Sequence, residues 1–107
     1  MRDTSNLSKE EQNILQIIKT VIDPEVAVNI VDLGLIYNIT LYEENKHIHI
    51  LMTLSARGCP VGDTIMQHVE VAVKSFWTDY EVEVELTWEP QWTPEMITDE
   101  GKAALGQ

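Results

Sequence analysis

Cysteine occurs once in this chain of 107 residues, at position 59, inside the run Gly58-Cys59-Pro60-Val61-Gly62. The run predicts the start of a helix, with Pro60 at the first position and Asp63 complementing the positive end of the dipole. A thiol held there faces unpaired backbone N–H groups, and the nearby Arg57 adds positive charge. Both favour the thiolate, the form that attacks electrophiles and binds metals. Gly58 and Gly62 leave room for a ligand or partner to approach the backbone. The same residues also fit a small buried hydrophobe beside a glycine turn. Anion binding at such a loop is possible in principle, but the Lys-Ser/Thr pair of a phosphate-binding loop is missing. With one cysteine there is no intramolecular disulfide and no CxxC motif, so any metal held by Cys59 needs ligands from elsewhere.

Other residue types capable of chemistry are less sharply arranged. His47 and His49 are two apart, ~7 Å between Cα atoms on one face of a strand, and could chelate a metal given further ligands. No third ligand is close in sequence, so a solvent-facing pair is expected. His68 follows Cys59 by nine helical positions, ~13 Å along the axis and on roughly the opposite face, which separates the two. Asp23-Pro24-Glu25 sets two carboxylates around a fixed φ, which reads first as a helix stop. Glu81, Glu83 and Glu85 read as the solvated face of a strand. Hydrolase motifs such as HExxH and GxSxG are absent from the sequence, and Cys59 has neither a resolving cysteine nor a neighbouring histidine base.

These residues must be positioned by a small set of elements. Ser8 and Glu11 form a capping-box pattern, followed by Ile14, Ile17, Ile18, Val21 and Ile22 at helical spacing, which predicts a helix over about 9–22, stopped by Pro24. Leu35, Tyr37, Ile39 and Leu41 alternate with Ile36, Asn38, Thr40 and Tyr42. Glu43-Glu44-Asn45-Lys46 is a turn, and Ile48, Ile50, Met52 and Leu54 then share one face of a second strand. Ile65, Val69, Ala72, Val73 and Phe76 form the buried stripe of a second helix. Val82, Val84, Leu86 and Trp88 alternate with Glu81, Glu83, Glu85 and Thr87. Near the end, Thr93 can cap and Pro94 begin a short terminal helix. The order α-β-β-α-β-α predicts an α+β two-layer sandwich, a small, mostly antiparallel sheet covered on one face, with both main helices on the Val82-Val84-Leu86 side.

The length suits one domain spanning residues 1–107, with 1–6 expected to be a disordered tail. A net charge of −11, from 7 basic and 18 acidic residues, argues against nucleic acid or an anionic membrane as partner. Residues 77–107 carry −7 of that charge, whereas residues 53–76, around Cys59, sum to zero. With no apolar segment of spanning length and no leader pattern, a cytoplasmic protein is expected.

The ordered motifs Asp23-Pro24-Glu25, Val28-Asn29-Ile30-Val31-Asp32-Leu33-Gly34-Leu35-Ile36-Tyr37, Met52-Thr53-Leu54, Gly58-Cys59-Pro60 and Trp88-Glu89-Pro90-Gln91-Trp92-Thr93-Pro94-Glu95-Met96 carry a resemblance. Over about residues 9–106 the chain resembles the metal-sulfur cluster biosynthetic domain family, which includes SufT-type and PaaD-type proteins. The resemblance implies an iron-sulfur cluster assembly domain fold and a non-catalytic part in maturing or delivering clusters to client apoproteins. It also implies that Cys59 is the ligand for iron or a transient iron-sulfur cluster and that Asp23 and Glu25 form a functional motif. Gln91 stands where a second proline is usual, and Arg57 where a small residue or proline often precedes Gly-Cys. The compact chain without a cysteine-rich extension favours the SufT-like role. A PaaD-like, metal-free adaptor docking through the Trp88–Trp92 segment is the alternative. Since a cluster needs about four ligands and the chain offers one thiolate, a homodimer or added small thiols would have to complete the shell.

Overall fold

The computed structural model describes residues 7–58 and 60–106. Residues 1–6, where a tail was expected, and Cys59 lie outside the described residues. Helix α1 spans Lys9–Ile18 and carries the full capping box: Glu11 N–H donates to Ser8 Oγ at 3.1 Å and Ser8 N–H to Glu11 Oε1 at 2.9 Å. The other oxygen of Glu11 accepts from Leu41 N–H at 2.8 Å, so the cap also ties the helix to the sheet.

α1 ends four residues before the predicted boundary. Thr20 Oγ1 donates to Ile17 O at 2.7 Å, Val21 becomes buried, and Val21 O accepts from Ile30 N–H at 3.0 Å. Thr20, Val21 and Ile22 are β-branched and lose little by leaving a helix. Pairing with the next segment then wins, giving the short strands β1 (Ile22–Asp23) and β2 (Val28–Asn29), an antiparallel hairpin not anticipated from sequence.

The main sheet has the order β3 (Ile36–Tyr42), β4 (His47–Met52), β5 (Glu81–Leu86). β3 and β4 form the expected hairpin, but the register slips between Ile36 and Asn38. This bulge buries both Ile36 and Ile39 and breaks the alternation that set Tyr37 on the face of Leu35 and Ile39. β5 pairs with β4 in parallel, Ile48 opposite Val82 and Met52 opposite Leu86, because helix α2 (Gly62–Phe76) carries the chain back across the sheet between them. The other two ladders are antiparallel.

α2 starts at Gly62, two residues later than Pro60, because the N-cap Val61 (φ −106°, ψ 8°) is still outside helical geometry. Ile65, Val69 and Val73 line its buried stripe, but Phe76 is 72% exposed. Trp77 takes its expected place: it leaves the helix at the C-cap, packs against the core and meets Tyr80 edge-on at 5.2 Å.

α1 packs on α2 and on β3, and α2 on β5, so both lie on one side of the sheet. Ile48, Ile50 and Met52 are fully buried beneath Ile14, Ile18, Ile65, Val69 and Val73. The opposite face carries His47, His49, Glu81, Glu83 and Glu85. Two pieces close the chain: a 3-10 turn η1 (Pro94–Met96) and helix α3 (Asp99–Ala104). Pro94 begins only the turn; α3 is capped by Thr98, whose side chain accepts from Gly101 N–H at 3.0 Å.

Candidate functional site

Asp23-Pro24-Glu25 does more than stop a helix. Asp23 is buried, its Oδ1 accepts from Glu25 N–H at 2.9 Å and its carbonyl from Ala27 N–H at 2.8 Å. The motif is thus an Asx-type turn at the β1–β2 tip, with Ala27 at φ 60°. The Asp23 side faces a cavity of about 120 Å³ lined also by Val26, Leu33, Leu35, Ser55 and Trp92, whereas Glu25 is exposed.

The segment over residues 29–37 grips the C-terminal strap over residues 88–105 at successive points. Tyr37 Oη donates to Pro90 O at 2.7 Å, and Trp92 Nε1 to Leu33 O at 2.7 Å. Asp32 Oδ1 accepts from Thr98 Oγ1 at 3.0 Å, its Oδ2 from Asn29 Nδ2 at 2.8 Å, and its carbonyl from Thr98 N–H at 2.8 Å. Gly34 sits at φ +81° with room for no side chain: a Cβ would meet Met96 O at 2.5 Å. Burial raises the Tyr37 hydroxyl above its ordinary pKa, an effect that a hydrogen bond to Thr53 opposes.

The strap roofs a larger cavity of about 440 Å³, lined by Leu54, Ser55, Ala56, Arg57, Trp88, Glu89, Gln91 and Trp92. Ser55 and Trp92 also line the Asp23 cavity, so the acidic turn and the loop leading to Cys59 share a wall. Arg57, two residues before Cys59, stacks over Trp88 with its guanidinium carbon 4.6 Å from the ring centroid. Trp88 and Trp92 are half-buried and packed against the core. α2 begins three residues beyond Cys59, which corrects the expectation that the run 58–62 enters the helix at Pro60.

The family of iron-sulfur cluster assembly proteins matches residues 11–86. The chain belongs to the iron-sulfur cluster assembly protein family. It is 38% identical over 96 residues to an Fe-S protein maturation auxiliary factor of Porphyromonas gingivalis, covering 90% of both chains. It is 37% identical over 86 residues to the Fe-S protein maturation auxiliary factor SufT of Staphylococcus aureus, covering 80% of this chain and 97% of that one. The crystal structure of a domain of unknown function from Bacillus anthracis superposes with a TM-score of 0.84 at 36% identity, covering 90% and 91% of the two chains. The resemblance seen in the motifs and the α+β fold inferred from sequence both hold.

Within the family fold, the long motif of residues 28–37 works chiefly as the strap's anchor. Asn29, Asp32, Gly34 and Tyr37 each meet the chain ~50 residues or more away or orient a neighbour that does. Sequence analysis missed the roles of Asp32 and Thr98. A signal was available: Thr98-Asp99-Glu100 is an N-cap followed by acids in the first turn. Sequence also gave no third ligand for the histidines. The parallel β4–β5 pairing sets carboxylates beside them: His47 Nε2 lies 3.1 Å from Glu83 Oε1 and His49 Nε2 2.7 Å from Glu85 Oε1. His68 stands apart on α2, in a shallow groove with Thr20, Val21, Ile22, Val71 and Ala72.

Proposed function

We propose that this chain is a SufT-like auxiliary factor in the maturation of iron-sulfur proteins, assisting the transfer of clusters to client apoproteins without catalysing a reaction of its own. The observation that carries this is near-full-length similarity to proteins named as Fe-S protein maturation auxiliary factors. Cys59 is the proposed ligand for iron or a cluster in transit, and Asp23 and Glu25 form the accompanying acidic motif, a turn in which Asp23 lines the cavity wall and Glu25 is exposed. One thiolate binds cargo weakly enough to release it, and a second chain or small thiols complete the coordination during transfer. The expected partners are the assembly machinery and client apoproteins. The described residues hold no helix long and apolar enough to cross a membrane.

The metal-free adaptor alternative needs Trp88 and Trp92 free to meet a client. Trp92 is already bonded to Leu33 O and both rings pack on the core, so the carrier is favoured. Anaerobic reconstitution with iron and sulfide, read by absorbance and iron per chain, tests the proposal. Wild type should gain cluster absorbance with the iron that accompanies it and Cys59→Ser should not; equal cluster absorbance in both would remove Cys59 as ligand, and none in either would support the adaptor.

A further inference from the structure

We propose that His49, Glu83 and Glu85 bind one divalent first-row transition-metal ion on the open face of the sheet, with no ligand from Cys59. One ligand atom from each of the three lies within 4.8 Å of the other two. A shell with metal–ligand distances of about 2.0–2.2 Å places neighbouring donors roughly 3 Å apart, so rotamer adjustments that shorten the separations by up to about two ångströms close it. The backbone is already set. His49 faces Glu83 directly in the parallel register, and Glu85 is the diagonal neighbour.

An imidazole nitrogen and two carboxylates suit zinc, manganese or ferrous ions better than the soft ions that select thiolates. Two features make the site more than a pair of cross-strand hydrogen bonds. His47 holds Glu83 from the other side at 3.1 Å, orienting a ligating carboxylate as metal sites commonly do. The His49 side chain is 23% exposed and that of Glu85 54%, so water can reach the ion and fill the remaining positions. Glu81, Glu83 and Glu85 repeat along one strand, and a cation between them also relieves their repulsion.

Zinc chloride titrated calorimetrically into the Cys59→Ser protein tests this, since the thiol is then absent. The expected result is one ion per chain, with affinity at least about tenfold lower in His49→Gln and in Glu85→Gln. His47→Gln, which removes only the residue orienting Glu83, should lose about tenfold, within the range seen for outer partners. His68→Gln should change nothing. Nitrogen NMR of the Cys59→Ser imidazoles should show zinc perturbing His49 and leaving His68 in place, and this decides the matter if a β4 variant fails to fold. Undiminished binding by His49→Gln, unsaturable uptake of several ions, or an unperturbed His49 ring would overturn the proposal.

Discussion

The strap end and the open face of the sheet use polar residues in opposite ways. At the strap end, Asp32, Tyr37, Thr98 and Trp92 spend their hydrogen-bonding groups on the chain itself, fastening residues 88–105 over two cavities. On the open face, His47, His49, Glu83 and Glu85 are held by the backbone but make only exposed side-chain pairs. The half-buried bonds of Asp32 and Trp92 are costlier to break, because an orphaned partner there is poorly rehydrated, whereas exposed pairs trade readily with water. The strap end should therefore be sensitive in stability, and the open face chiefly in what it binds.

Gly34→Ala sharpens that contrast most. A Cβ 2.5 Å from Met96 O, on a residue at φ +81°, should cost about 2–5 kcal/mol in urea denaturation. Asp32→Ala comes next, since it strips Thr98 and Asn29 of their acceptor, and a loss of about 1–3 kcal/mol is expected from the same measurement. Trp92→Phe keeps the packing and leaves Leu33 O unpaired, for about 1 kcal/mol. His49→Gln should change stability by less than about 1 kcal/mol; a loss as large as that of Asp32→Ala would erase the distinction between the strap end and the open face.

The smallest effect is one of pH. Burial raises the Tyr37 pKa in the folded chain, so folding favours the neutral phenol. That contribution is complete below the unfolded value of about 10 and is lost as pH rises through the higher folded value. Stability measured from pH 9 upward should fall less steeply in Tyr37→Phe than in wild type.

Much of the local structure was legible in advance. Ser8 and Glu11 announced the start of α1, Glu43-Glu44-Asn45-Lys46 the β3–β4 turn, and the strict alternation of residues 81–86 the strand β5. Where expectation failed, a distant partner decided. α1 gave up Val21 and Ile22 to pair with residues 28–30, the bulge turned Tyr37 toward Pro90, and Trp77 displaced Phe76 from the core. Of the site, the run around Cys59 was readable as candidate chemistry and Asp23-Pro24-Glu25 only as a helix stop until the family resemblance singled it out; the neighbourhood of neither was legible.

Periodicity, capping residues and charge act over a few positions, so the sequence alone determined the principal helices and strands, the acidic surface and the single thiol. Which strand lies beside which is a matter of chain path. Only the tertiary structure placed Glu83 and Glu85 beside histidines some 36 positions earlier, and joined the Asp23 turn to the wall of the Arg57 cavity. The physical reason is the crossover through α2, which makes β5 parallel to β4 and sets two rows of period two side by side, where neither row alone reveals its neighbour.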